Sequence, residues 1–326
     1  MFVKVSNSLM GLRLFCFEMI KYILRNIINS FLTIFGVLSV SFILTYLLPG
    51  DPAKLILGQR ADEESVRSVR AELGIDKPFY VQYIGFISRS IQGDLGKSYL
   101  TNRNVSDTIL EKIPATALLS FVAIIISSII GITIGVVSSL KPYSFKDYFF
   151  ILFSLLGISI PQFVLALILI YIFGAELRVF PIAGYINNGW IYIVLPAVAL
   201  ALRPLAITAR ITRTSMLDEL NKDYVRTARS KGLSESKVVV KHALRNALNP
   251  VITTLSSSLA ATLGGVFFIE YIFNWPGIGS LAMDSILKLD FPMIQGTILF
   301  SAVVFVIINL TVDIFYAFLD PKVRLR

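Results

Sequence analysis

Four stretches of this chain, 26–50, 113–140, 148–175 and 246–269, run for 24 residues or more without one charged side chain. A helix rises about 1.5 Å per residue, so each is long enough to cross a hydrocarbon layer of about 30 Å and too long for the apolar core of a cleaved signal peptide. Two further runs complete a set of six. One starts near Trp190, an aromatic suited to a membrane interface, and reaches about Ile211, with Arg203 about thirteen residues in and Pro204 after it. The other covers 291–319 and carries Asp313 toward its end. Composition agrees: with 55% hydrophobic residues, 16% charged and a mean hydropathy of +0.74, the chain is too apolar for a water-soluble globule. The sequence therefore predicts an all-α polytopic membrane protein of six transmembrane helices.

The charge pattern sets the direction of those helices. Lys4, Arg13, Lys21 and Arg25 stand before the first span, a short basic turn covers 141–147, and seven Lys/Arg with His242 oppose four acids between Asp218 and Arg245. Short basic segments stay on the cytoplasmic side, which puts both termini in the cytoplasm. The formal charge of +9 is thus an expectation about topology and not about nucleic acid, because the basic residues flank apolar spans. Cys16 is the one cysteine and His242 the one histidine, so neither a disulfide within the chain nor a His/Cys metal site is expected. No cofactor is expected either.

The segment 49–112 after the first span balances nine basic against nine acidic residues, which suits an extracytoplasmic loop. Within it Asp62 to Leu73 reads as a polar helix stopped by Gly74. Pro78 to Ile91 places Phe79, Tyr83, Phe86 and Ile87 at helical spacing, for packing on the spans or along the membrane surface. The triplet Gly96-Lys97-Ser98 invites a phosphate-loop reading, but the glycine that must precede it is Ile91 and no strand leads in. ATP binding is therefore assigned to a separate chain.

The polar island 213–246 reads as a cytoplasmic loop with a short helix, started by Asp218 and ended by Gly232, on which Tyr224, Ala228 and Leu233 share roughly one face. Such a helix suits a groove on a partner protein, and the same composition suits a loop lying on anionic headgroups. Arg203 and Asp313 are charges at membrane depth; one such charge costs roughly 2.5–3.5 kcal/mol on insertion scales unless it pairs or snorkels. Arg203 accordingly faces protein or water, or reaches the headgroups.

The run Asp223-Tyr224-Val225-Arg226-Thr227-Ala228-Arg229-Ser230-Lys231-Gly232-Leu233, then His242-Ala243-Leu244-Arg245-Asn246-Ala247-Leu248-Asn249-Pro250, resembles the cytoplasmic signature of ABC-importer permeases of the dipeptide, oligopeptide and nickel group. Against the general importer pattern E-A-A-x-x-x-G, Arg226, Thr227 and Ala228 stand at the first three positions and Gly232 at the last. The Pro49-Gly50-Asp51-Pro52 run, the loop Glu270-Tyr271-Ile272-Phe273-Asn274-Trp275-Pro276-Gly277 with Asp290-Phe291-Pro292, and the tail from Asp320 to Arg324 resemble the same family. The likeness covers about 19–326, which leaves 1–18 as an N-terminal extension and 19–326 as the permease domain.

What the resemblance implies is a non-catalytic subunit in the cytoplasmic membrane of a bacterium or archaeon. Its partners would be a second homologous permease, two cytoplasmic ABC ATPases and an extracytoplasmic substrate-binding protein. The substrate would be a di- or oligopeptide, with nickel, a metal chelate, glutathione or an oligosaccharide as alternatives. Asp223, Tyr224, Arg226, Thr227, Ala228, Gly232 and Leu233 would couple to the ATPase, with Ala228 and Gly232 against its cleft. Glu270, Trp275, Pro276 and Gly277 would either form a gate at the outer mouth or, with Glu270 paired to a neighbouring base, cap the bundle. An ion-coupled transporter or channel, which needs buried ionisable groups, has only Arg203 and Asp313 to offer. An intramembrane hydrolase lacks a facing nucleophile and base.

Overall fold

The computed structural model describes residues 2–47, 51–58 and 62–319, with side-chain surroundings from residue 24 to residue 312 apart from 55 and 263–265. The readings placed on Pro49, Gly50, the side chain of Asp313 and the tail from Asp320 lie outside them. So do the side chains of the extension, although its backbone is the start of one continuous helix, α1 (Phe2–Leu47).

Three short helices follow: α2 (Pro52–Leu57), α3 (Glu63–Leu73) and α4 (Phe79–Ile91). Local chemistry explains α3 at both ends. The Asp62 carboxylate accepts from the Ser65 amide at 2.9 Å, and Gly74 turns left-handed at φ +67°, a conformation that side chains resist. The aromatic face of α4 packs on α1, where Phe42 stands within 5.5 Å, centroid to centroid, of the Phe79, Tyr83 and Phe86 rings. The packing alternative thus holds for this helix.

The centre of the molecule is the seam between α5 (Val105–Leu140) and α8 (Val194–Leu220). Gly131 and Gly135, one turn apart, let the two backbones meet. A methyl group at Gly131 would sit 2.9 Å from the Leu205 carbonyl oxygen, and one at Gly135 would sit 2.6 Å from that of Ala209. This is how membrane helices associate when apolar burial gives no advantage over lipid. At the far end of α5 a cluster of Ala115, Leu119, Ile269, Phe273 and Trp275 closes the core.

One of the uncharged runs does not form a straight span. The run 148–175 is broken into α6 (Phe145–Ser159) and α7 (Gln162–Leu169), bent by 107°. Pro161 is the cause: it bars Ile160 from helical dihedrals, and Ile160 adopts φ −80° and ψ 126°. α7 then widens into a π-helical turn, Ile170–Glu176, before the connection that leads to α8.

Beyond α8 come α9 (Asp223–Ser230), the single turn α10 (Glu235–Lys237), a π-helical turn Val238–Leu244, and α11 (Arg245–Gly265). α12 (Phe267–Ile272), α13 (Ile278–Leu287) and α14 (Phe291–Leu319) complete the chain. Among the described residues there is no strand beyond an isolated bridge between Lys97 and Asn104. Four helices are long and apolar enough to cross a bilayer, at Leu24–Leu47, Val105–Leu140, Trp190–Leu220 and Phe291–Val312, and the bent pair makes a fifth. α11 has the length but carries Thr253, Thr254, Ser256, Ser257, Ser258 and Thr262. Thr253, Thr254 and Thr262 satisfy their hydroxyls on carbonyls of their own helix. The protein is an all-α polytopic membrane protein.

Candidate functional site

Asp218, expected to start the island helix, lies inside α8, which continues unbroken to Leu220; after two joint residues α9 begins at Asp223. Val225 and Ala228, three apart and so on one face, are buried against Val238, with Leu220 and Leu233 around them. A second cluster of Met216, Val239, Ala243 and Ala247 carries this packing back into the bundle. The opposite face is exposed: Asp223, Arg226 and Thr227 all stand in the open. Gly232 ends the unit at φ +74°.

The expected docking face is corrected by this geometry. Ala228 does not stand on the free surface but seats α9 on its own chain, because Val225 is the more apolar partner for it than Tyr224. Tyr224 points elsewhere. Its phenol donates to the Glu219 carboxylate at 2.5 Å and accepts from the Asn246 amide at 3.0 Å, stapling the end of α8 and the start of α11 to α9. Arg229 donates twice to Glu235, at 2.6 and 3.1 Å, and holds that carboxyl below its ordinary range.

About two turns of α8 before this joint is an ion pair that the sequence analysis does not include. Arg213 donates to both oxygens of Asp147, at 2.6 and 2.7 Å, and Asp147 also accepts from the Ser138 hydroxyl and, at 2.8 Å, from the Tyr143 amide. Asp147 is 1% exposed. A buried charge is tolerable when its lone pairs are all used, as here. The turn between α5 and α6 is thereby locked to α8. The signal was present as a basic turn containing one acid, facing a span with an arginine near its end.

At the other end of the bundle Glu270 is fully buried, contrary to both readings made of it: it neither stands at an open mouth nor pairs with a base. Its carboxylate accepts from the Thr116 hydroxyl at 2.6 Å and from the Gly279 and Ser280 amides at 2.7 and 3.2 Å. The free amides at the start of α13 draw it inward. Trp275 is also fully buried, donates from Nε1 to the Ala115 carbonyl at 2.9 Å, and meets the Tyr185 ring edge-on at 4.8 Å. Gly277 leaves the room, since a methyl group there would lie 2.2 Å from the Glu270 oxygens. The ring of Pro276 sits half-buried beside them. A second buried acid, Asp290, accepts from the Ser98 hydroxyl at 2.5 Å and the Tyr99 amide at 3.1 Å, tying the loop after α4 to the start of α14. Gly96-Lys97-Ser98 is thus part of a loop clasp. Arg203 is exposed on α8.

Comparison with known proteins turns this architecture into an identity. The family described as "Binding-protein-dependent transport system inner membrane component" matches residues 127–325, and its N-terminal counterpart matches 19–120. The glutathione transport system permease proteins GsiC of Escherichia coli strain K12 and of Shigella flexneri serotype 5b are each 38% identical over 308 residues, 94% of this chain and the whole of the relative. A crystal structure of an amino acid ABC transporter with histidines shares the fold, with a TM-score of 0.50 at 16% identity over 67% of this chain and 94% of that one. With a spanning bundle, a short helix seated beside its longest seam and both family matches running over them, the chain belongs to the inner-membrane permeases of binding-protein-dependent ABC importers, in the peptide and nickel branch.

Proposed function

We propose that this permease forms half of a translocation path for small peptides. It is non-catalytic itself, beside a homologous second permease, two cytoplasmic ATPases and an extracytoplasmic binding protein. Six spans with both termini in the cytoplasm place the 49–112 loop outside and the 213–246 loop inside, and residues 19–326 form the functional unit behind an extension of 18 residues. The observation that carries this reading is the construction of α9: a helix seated through Val225 and Ala228, presenting Asp223, Arg226 and Thr227 outward, directly after the rigid α5–α8 seam. A partner that grips the exposed face of α9 moves α8 with it, and ATP binding shifts the inward-to-outward balance by its differential affinity for the two states.

Glutathione, itself a small peptide, is the second reading, favoured by the names of the 38% identical relatives. With Cys16 replaced by Ser, a cysteine at Arg226 in the assembled importer should cross-link to an ATPase subunit, and ATP-driven uptake in proteoliposomes should be competed by unlabelled substrate. Cross-links absent from Arg226 but present from the 49–112 loop would overturn the docking face. Competition by glutathione but not by dipeptides would select the second reading.

A further inference from the structure

Between α6 and α8, backed by α5, lies a cavity of about 340 Å³, within the range of small-molecule sites at ~300–1,000 Å³. Its walls are Ile134 of α5 with Phe150, Ile151 and Leu155 of α6, and its polar edge is Arg210 and Arg213 of α8. Two guanidiniums face it against one carboxylate, since Asp147 holds Arg213 while no ion pair engages Arg210 among the described residues. Lys141 and Lys146, both exposed, extend the positive surface by a turn. Along the span Trp190–Leu220 Arg210 is twenty residues from the exposed Trp190, about 30 Å of helix, which equals the hydrocarbon thickness. It therefore sits where the phosphates of one leaflet lie. Elsewhere on α6 Tyr148, Phe149 and Leu152 are exposed, a surface suited to acyl chains.

We propose that this groove is a binding site for one anionic phospholipid, its phosphodiester on Arg210 and the free nitrogen of Arg213 and an acyl chain along Phe150, Ile151 and Leu155. A free phosphate would use the arginines but leave the apolar wall bare. The lipid props α6 against α8 beside the Asp147–Arg213 lock. Membrane depth and charge carry this assignment, whatever the importer's substrate.

The test is tryptophan quenching in the assembled importer, using Leu155→Trp as reporter and vesicles of phosphatidylcholine doped with brominated phosphatidylglycerol or brominated phosphatidylcholine. Half-maximal quenching should need about five-fold less of the brominated phosphatidylglycerol, the factor for one basic side chain beside an anionic lipid. Arg210→Gln should erase that preference while leaving ATP-driven uptake in place. Equal curves for the two lipids, or a preference that survives Arg210→Gln, overturn the proposal. Absence of quenching by either lipid overturns it as well. Mass spectrometry of phosphatidylglycerol retained by the unlabelled complex, with and without Arg210→Gln, reads the same preference without the reporter, and equal retention by the two proteins overturns it.

Discussion

The two ends of the bundle handle charge in opposite ways. At the α12–α13 turn a carboxylate is buried whole, its oxygens used by Thr116, Gly279 and Ser280, with Trp275 packed beside it. At α9 the charges of Asp223 and Arg226 stand in water, and the helix is held down by two small apolar side chains and by the Tyr224 hydroxyl between Glu219 and Asn246. One end is fixed to its own scaffold by groups that cannot be released singly, because an unmet buried polar atom costs about 1–3 kcal/mol. The other is a handle: cheap to grip and firmly hinged.

The largest expected effect is at the fixed end. Trp275→Ala removes a fully buried ring and should destabilise the protein by about 3–5 kcal/mol, and Gly277→Ala, which drives a methyl group into the Glu270 carboxylate, should leave little folded protein in the membrane. Thermal aggregation midpoints in detergent measure both. A Gly277→Ala protein with the parental midpoint would show that this end is pliable and erase the contrast.

Next comes the lock of the α5–α6 turn to α8. Asp147→Ala strands Arg213 and should cost about 3 kcal/mol, the lower part of the range for a broken buried pair because Arg213 keeps some exposure. Asp147→Asn, which keeps part of the hydrogen bonding, should lose less. If the alanine variant is as stable as the parent, the α5–α6 turn is not fastened to α8 in the way described.

The smallest stability effects belong to the handle, and there function and stability should part company. Ala228→Leu overfills the seat and should cost about 1–3 kcal/mol, whereas Arg226→Ala should stay within about 0.5 kcal/mol of the parent while impairing ATP-driven uptake. Unimpaired uptake with Arg226→Ala and with the matching change at Thr227 would leave α9 without a coupling role.

Fold class was legible because hydrocarbon thickness writes itself into a sequence as uncharged length, and the caps of α3 were legible because Asp62 and Gly74 act locally. The bend at Pro161 was also written there, yet a hydropathy run hides it, since proline is no less apolar than its neighbours. The site was read at half depth. The end of the island helix near Gly232 was legible and its start was not, since Asp218 belongs to α8; which face of α9 turns inward depends on Val238, thirteen residues away from Val225 at the start of the π-helical turn. Likewise no local signal tells that Glu270 finds Thr116, 154 residues earlier, in place of water or a base. Gly131 and Gly135 were visible as a pair of small residues one turn apart in an apolar span; what they pack against was not.

That glycine seam also bears on how the protein is made. α5 and α8 are separated in the chain by the bent pair α6–α7, so this close backbone contact joins segments that leave the ribosome more than fifty residues apart. When α8 arrives, α6 and α7 are already in the membrane, and the closing of backbone on backbone at Gly131 and Gly135 traps them in whichever arrangement they hold. The seam is therefore a checkpoint of biogenesis: a side chain added at Gly135 should not loosen a finished permease so much as prevent one from being finished, leaving a chain inserted with unpaired helices and exposed to membrane proteases.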